Sequence, residues 1–310
     1  MSNSVLKRRM SPRTKKRLAF YIGMVSLPLI QYIFFVFVVN FNSIAMAFQE
    51  YELGDNGYVT KLTFDNFAWA VDLFFNSGYM IRTSFIAAGC NIFIVLGLAM
   101  FFSYYCAKKY WMSGLFRVVL YAPTLFSAVV FSILYKFLAN DVYMEYTGAT
   151  LGLFDQDINT QLVVLLFFNV WIAFGSNVMI FVSTMSSIDV SMVESAQLDG
   201  VTPFQEFIYI YVPTTYSTLL TFIIGQLAVV FTNQLCMFTF YQGIGNEGGV
   251  MLRPETFGYY FFRKMLLADY CGVEVTYSKL AALGVLFSVV LTSTILPLRK
   301  LLIKYGPKTE

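Results

Sequence analysis

The amino-acid sequence predicts an all-α integral membrane protein with six transmembrane helices. Hydrophobic residues make up 58% of the 310 residues and charged residues only 13%, which is too apolar for a soluble domain of this length. The mean hydropathy is +0.65. Six apolar runs are each long enough to cross a bilayer, which takes about 20 helical residues. We therefore expect lipid to be the solvent of most of the chain.

A basic segment at 1–18 precedes the first apolar run, which extends from Leu18 to Phe41. A secretory signal peptide also begins with basic residues, but its apolar core is shorter and ends in a small-residue cleavage site. We interpret 1–18 as a cytoplasmic N-terminus and the run as an uncleaved first helix.

Five further runs complete the predicted transmembrane domain at 19–300, and a short cytoplasmic tail follows at 301–310. The predicted spans are 81–106, 114–138, 161–186, 213–240 and 279–298. Glycine and proline inside such runs are tolerated because neighbouring helices satisfy the freed backbone groups. The sequence shows no internal repeat and no second, soluble domain.

The distribution of lysine and arginine predicts that both termini lie in the cytoplasm. With the N-terminus inside, the inner segments carry 14 of the 21 basic residues, as the positive-inside rule requires. The inner loop at 187–212 is the exception, since it contains no lysine or arginine.

The amino-acid composition also limits which metal, acid–base and redox sites the chain can form. The chain contains no histidine, which excludes imidazole metal ligands and histidine bases. Its four cysteines form no C-x-x-C pair and are interpreted as small apolar residues. Of the 33 Phe and 21 Tyr residues, many lie near span ends. We interpret them first as a membrane-interface belt or as packing, with sugar stacking as the alternative.

The loop at 187–212 contains the capping and terminating residues of two short helices. Ser191 followed by Glu194 predicts a capping box that starts the first helix, and Gly200 suits the left-handed residue that ends it. Thr202 followed by Gln205 predicts a second capping box, with Pro203 at the first helical position.

The second helix is expected to run to Val212, with Pro213 opening the fifth span. Its predicted apolar face comprises Phe204, Phe207, Ile208 and Tyr211.

The first helix is predicted to dock against another protein. The small residues Ser195 and Ala196 lie between the carboxylates of Glu194 and Asp199. Small side chains allow close approach, and carboxylates pair with basic groups of a partner. Two interpretations of Glu194 stay open, a helix cap and a contact to the partner.

This loop resembles the "EAA" loop of binding-protein-dependent ABC importer permeases. The matching residues are Glu194-Ser-Ala-Gln-Leu-Asp-Gly-Val201 with Gln205, Phe207, Ile210 and Pro213. Phe64-Asp65-Asn66-Phe67 resembles a segment that precedes the second span in carbohydrate-type permeases. The departures are Ser195, Val201, Asp189 and the glycine-rich stretch 243–249.

The resemblance implies a type I ABC importer permease fold in the bacterial cytoplasmic membrane. It implies that 187–212 is a coupling loop whose contact residues are Glu194, Ser195, Ala196, Asp199 and Gly200. The implied partners are a second, homologous permease, two ATP-binding subunits, an extracellular solute-binding protein, membrane lipid and a carbohydrate substrate, with no nucleic acid. The sequence has no G-x-x-x-x-G-K-[ST], so we expect no enzyme activity and no cofactor in this chain, with ATP and Mg²⁺ bound by the partners.

Amides inside the spans are the candidates for the translocation path. They are Asn169, Asn177, Asn233 and Gln234. Amides at membrane depth hydrogen-bond hydroxyl-rich ligands, or they pair helix to helix.

An ABC importer permease for a non-sugar solute stays open as an alternative. Two further alternatives come from other classes of protein, an ion-coupled secondary transporter of a neutral solute and an intramembrane enzyme. An ion-coupled transporter usually carries ionisable residues inside its spans, and an intramembrane enzyme needs a catalytic cluster at membrane depth. The basic residues Arg82, Arg117, Lys136 and Lys279 fall at span ends, where snorkelling accounts for them. We expect no buried carboxylate, which argues against both alternatives.

Overall fold

The computed structural model describes residues 12–54, 57–148, 157–241, 253–266 and 277–307. Helices dominate the described chain. Four of them widen into one turn of π-helix. The helices are α1 (Pro12–Phe34, continued by Phe35–Asn40 and Phe41–Ala47), α2 (Asp65–Asn76), α3 (Gly78–Gly89, continued by Cys90–Val95 and Leu96–Ala107), α4 (Ser113–Tyr121, continued by Ala122–Leu125), α5 (Ala128–Phe137, continued by Leu138–Val142 and Tyr143–Thr147), α6 (Ile158–Ser186), α7 (Val190–Leu198), α8 (Pro203–Glu206, continued by Phe207–Tyr211 and Val212–Thr214), α9 (Tyr216–Ala228), α10 (Met237–Tyr241), α11 (Phe257–Leu266) and α12 (Tyr277–Tyr305).

Among the described residues, four continuous helices are long and apolar enough to cross a membrane, and two bent helix pairs bring the number to six if each pair is one span. The four are α1, α3, α6 and α12. The pairs are α4 with α5, bent by 95°, and α8 with α9, bent by 70°. Four of the predicted spans are therefore single helices, whereas the third and fifth predicted spans fall on the two bent pairs.

The third predicted span, 114–138, is wrong as one helix because the chain breaks at Phe126 and Ser127, both in extended conformation. Pro123 lies in the 3₁₀ turn just before this break. Proline lacks a backbone N–H and restricts the residue before it, so it favours such an interruption.

The fifth predicted span, 213–240, is also wrong in its bounds. Pro213 lies inside α8, and the bend falls at Thr215, whose hydroxyl donates to the carbonyl of Tyr211 at 2.7 Å. Helix α9 ends at Ala228. The chain then turns through Leu235 and Cys236, both left-handed at φ 51° and 56°, before α10 begins.

The all-α expectation misses one antiparallel hairpin of two strands, β1 (Gln49–Gly54) and β2 (Gly57–Leu62). Its register pairs Gln49 with Leu62 and Gly54 with Gly57. The dipeptide Asn56-Gly57 is a strong hairpin signal in a sequence, and the all-α prediction did not use it. Beside the hairpin, the buried amide of Asn66 donates to the carbonyls of Ala47 and Gln49.

Interhelical hydrogen bonds define the course of the bundle. Helices α3 and α6 run in the same direction, since Asn169 donates to Asn91 and, further along both helices, Ser103 donates to the Val178 carbonyl. We call the end that holds α7 and the end of α3 the loop end. The opposite end, with the hairpin, α2 and the start of α3, is the hairpin end.

Apolar side chains form three clusters along this axis. At the loop end, α3 and α6 pack with Val193 of α7 and Tyr211 of α8. Midway, Phe168 and Phe240 pack with Tyr135. At the hairpin end, Phe231, Phe257 and Phe287 meet, the last two with ring centroids 5.1 Å apart. Much of the aromatic content therefore fills the core.

Helix α1 stands apart from these clusters. Its first buried residue is Ala47, at its last turn, and the most apolar stretch of the helix has no buried residue. Among the described residues, its last segment, Phe41–Ala47, packs against α12.

Gly175 is required where α6 crosses α4, because a Cβ there would collide with the backbone carbonyl of Leu120. We expect Gly175→Ala to destabilise the fold by about 1–3 kcal/mol through this overpacking, measured as a lower Tm of the purified protein in detergent. Gly97→Ala is the matched control, since no atom lies within 4 Å of its Cβ position. An unchanged Tm for Gly175→Ala would contradict the close helix crossing.

Candidate functional site

Helix α7 is capped by Asp189, and the predicted capping box of Ser191 and Glu194 is wrong. The Asp189 carboxylate accepts the Ser191 backbone N–H at 3.1 Å and the Ser191 hydroxyl at 2.8 Å. These bonds, the backbone bond first, hold the pKa of Asp189 below its usual value. Aspartate and serine both serve as N-caps, so the sequence alone did not decide between positions 189 and 191.

Gly200 ends α7 as predicted. Its φ of +79° is left-handed, and its N–H donates to the Gln197 carbonyl while that of Val201 donates to Ala196. These two bonds form a Schellman motif.

The second capping box is confirmed at the start of α8. The Thr202 hydroxyl accepts the Gln205 backbone N–H, the Gln205 side chain accepts the Thr202 N–H, and Pro203 follows the cap. The turn between α7 and α8 is thus shaped by local bonds on both sides.

The five residues predicted to contact a partner lie together on this turn. Glu194, Ser195, Asp199 and Gly200 are exposed, and Ala196 is half-buried. Glu194 lies five residues after the Asp189 cap, so its carboxylate is free of the capping role. The Ser195 hydroxyl is satisfied locally, because it donates to the Ser191 carbonyl at 2.8 Å.

Apolar side chains surround these polar groups, which the sequence analysis missed. Leu198 is 90% exposed and Phe204 is 67% exposed. The predicted apolar face of α8 divides, because Phe207 and Tyr211 pack against α3 while Phe204 and Ile208 remain exposed. The result is a surface with an apolar part and an acidic part.

Contacts to α3 hold the turn in place. Lys108 follows α3 directly and pairs with Glu206 of α8, the Nζ–Oε1 distance being 2.6 Å. The Tyr104 hydroxyl donates to the Pro203 carbonyl at 3.1 Å. Glu206 is only 2% exposed, so the expectation of no buried carboxylate is wrong. The ammonium group of Lys108 compensates the charge of the Glu206 carboxylate.

The predicted path residues in α6 are hydrogen-bonded within the protein. Asn169 donates to the side chain of Asn91 at 2.6 Å, which joins α6 to α3. The Asn177 amide donates to the Ala173 carbonyl in its own helix at 3.1 Å.

Asn233 and Gln234 lie in the break between α9 and α10, against the start of α11. The Asn233 side chain accepts the Leu235 N–H, and its backbone carbonyl accepts the Thr256 hydroxyl at 2.9 Å. A Cβ on Gly258 would lie 2.5 Å from that same carbonyl. The Oε1 atom of Gln234 is buried and has no hydrogen-bond partner among the described residues.

Buried charge also lies at the hairpin end. Arg263 of α11 pairs with Glu255 at 2.9 Å, and both side chains are less than a tenth exposed. Lys136 donates to the Phe240 carbonyl at 3.2 Å, which joins α5 to α10. The chain returns to α5 only after about a hundred residues, and the sequence does not show that approach.

The chain has the fold of an ABC importer permease subunit. With 18% identity and a TM-score of 0.68, 94% of the chain aligns with 98% of a chain in the crystal structure of a bacterial ABC transporter involved in the import of the acidic polysaccharide alginate. A bacterial alginate ABC transporter in complex with an alginate pentasaccharide-bound periplasmic protein aligns equally well, with a TM-score of 0.68 and 17% identity over 96% of this chain and 99% of the other.

In sequence, the chain is similar to the probable ABC transporter permease protein YurN of Bacillus subtilis strain 168. The two are 23% identical over 223 residues, which cover 66% of this chain and 73% of that protein. No protein-family model matches the chain.

The corrected cap makes a direct prediction. Asp189→Ala removes the acceptor of two bonds, and we expect amide hydrogen exchange in the first turn of α7 to become roughly fivefold faster. Ser191→Ala should have a smaller effect, since the backbone N–H of residue 191 keeps its bond to Asp189. Exchange followed by mass spectrometry on peptides covering 187–200 tests this order, and a larger effect of Ser191→Ala would contradict it.

Proposed function

We propose that this chain is a permease subunit of an ATP-driven ABC importer in the bacterial cytoplasmic membrane. The observation that carries the proposal is the turn between α7 and α8, which presents an apolar and acidic surface at the loop end of a chain with the importer fold. Two ATP-binding subunits are the proposed partners, because the chain itself has no P-loop sequence.

The proposed mechanism is alternating access. The chain pairs with a second, homologous permease to enclose a path, and a solute-binding protein delivers substrate at the hairpin end. Closure of the ATP-binding subunits moves α7, and the surrounding helices follow. In this scheme the termini and the α7 turn are cytoplasmic.

The proposed substrate is a carbohydrate. The two similar structures come from importers of an acidic polysaccharide, which supports the class without indicating the particular sugar. Of the four amides, Gln234 is our first choice for a substrate contact, since its carbonyl oxygen has no partner among the described residues. Asn233 lies beside it, whereas Asn169 and Asn177 are engaged within the bundle and contribute to helix packing.

An ion-coupled transporter of a neutral solute is the second candidate, favoured by the buried Glu255–Arg263 pair, since ionisable residues inside a membrane protein often belong to an ion pathway. The two candidates differ in energy source. Uptake should stop in cells depleted of ATP while the ion gradient is maintained. Uptake that continues under those conditions, and stops with an ionophore, would refute the ABC proposal.

The α7 turn provides a second test. We expect Gly200→Val and Glu194→Trp to lower ATP-driven uptake by about tenfold without lowering the amount of protein in the membrane. Valine is strained at the left-handed Gly200, and tryptophan disturbs the exposed contact surface. Gly148→Val is the matched control, because Gly148 is also left-handed at φ +71° with no atom within 4 Å of its Cβ position and lies outside the turn. Wild-type uptake in both variants would remove the reason for assigning this surface.

A binding screen would identify the substrate class. The solute-binding protein that co-purifies with the chain should be stabilised in thermal shift by neutral or uronic-acid oligosaccharides. Stabilisation by amino acids or peptides alone would refute the carbohydrate assignment.

A further inference from the structure

Glu206 lies where three elements meet, and its two carboxylate oxygens each face a different one of the other two. Oε1 lies 2.6 Å from the ammonium nitrogen of Lys108, at the end of α3. Oε2 accepts the side-chain amide of Gln197, in the last turn of α7, at 3.2 Å. Glu206 itself belongs to α8. One carboxylate of α8 therefore connects the exposed helix α7 to the end of α3.

Burial makes this connection geometrically strict. The Glu206 side chain is 3% exposed and that of Lys108 is 15% exposed. A buried carboxylate is costly unless it is paired and hydrogen-bonded. Lys108 and Glu206 therefore cannot separate without leaving a buried carboxylate uncompensated, whereas purely apolar surfaces can slide past one another.

Lys108 stands directly before a tight turn of the backbone. The chain turns after α3 through Lys109 and Met112, both left-handed at φ 54° and 58°. Left-handed backbone is unfavourable for residues with a side chain. The turn is secured by the Tyr105 hydroxyl, which donates to the Trp111 carbonyl at 2.6 Å.

Aromatic packing supports the same junction. The ring of Tyr104, in the last turn of α3, lies 5.3 Å from that of Phe207 and 4.9 Å from that of Tyr211. Tyr104 also bonds to the Pro203 carbonyl at the start of α8. The start of α8 and the end of α3 are thus joined by an ion pair, a hydrogen bond and ring contacts.

We propose that Lys108, Glu206 and Gln197 form the joint that transmits movement of α7 to α3. The proposal rests on the proposed function, because it assumes that a partner moves α7. Lys108 and Glu206 are positioning residues on this view. They touch neither substrate nor nucleotide, and they determine whether a displacement of the turn reaches the transmembrane helices.

The test compares transport with ATP consumption in the intact complex. The transporter is purified through a tag on this chain and reconstituted into liposomes with its solute-binding protein. A labelled mixture of neutral and uronic-acid oligosaccharides is the probe. We expect Lys108→Met and Glu206→Gln to lower the uptake per ATP hydrolysed by about tenfold, with the ATP-binding subunits still co-purifying. The charge-exchanged double variant K108E/E206K should recover most of that ratio.

Lys109→Met is the matched control, since it removes the same charge from the next residue, which is exposed, and it should keep the wild-type ratio. Wild-type ratios in both single variants would overturn the joint, as would a double variant no better than the single ones or an equal loss in Lys109→Met. If both single variants were absent from the membrane, the Lys108–Glu206 pair would be required for folding. That result would also overturn the proposed joint. A wild-type complex without ATP-binding subunits or ATP-dependent uptake would refute the proposed function instead.

Discussion

The structure depends on one constraint, which is that polar groups inside a bilayer must find their partners within the protein. Serine and threonine hydroxyls accordingly bond to carbonyls one turn earlier in their own helices, as Ser132 does to Ala128 and Thr221 to Ser217. Asn169 finds its partner across a helix interface, in Asn91. Where a span is interrupted, another part of the chain must cover the exposed backbone.

The break after α9 shows how an interrupted helix meets this requirement. Residues 229–236 leave the helical path, and the start of α11 covers them through Thr256 and Gly258. Only glycine permits an approach this close to the Asn233 carbonyl. The same arrangement leaves the Gln234 carbonyl oxygen buried without a partner among the described residues. An unsatisfied buried amide needs a physical explanation, and the proposed substrate contact of Gln234 would supply one.

The loop end meets the constraint differently. Glu206 is buried where a charge would be costly, and Lys108 and Gln197 compensate it. These contacts let the turn between α7 and α8 present Leu198 and Phe204 to the outside without losing its shape. The loop 187–212 has no basic residue of its own, and the cation that compensates Glu206 comes from the neighbouring loop.

Local patterns determined much of this in advance. Apolar runs located the transmembrane helices, and Gly200 and the Thr202–Gln205 pair located the turn and the start of α8, because span length, left-handed backbone and capping depend on residues close in the chain. Tertiary structure decided the rest. The tertiary structure decided where α4 ends and α5 begins. It also decided that Asp189 caps α7, because short-range preferences allow either Asp189 or Ser191 as the cap. It also brought Lys108 to Glu206 and α11 to Asn233. Those pairings join residues that are far apart in the chain. They are selected by the packing of the whole bundle, because lipid offers charges and amides no alternative partner.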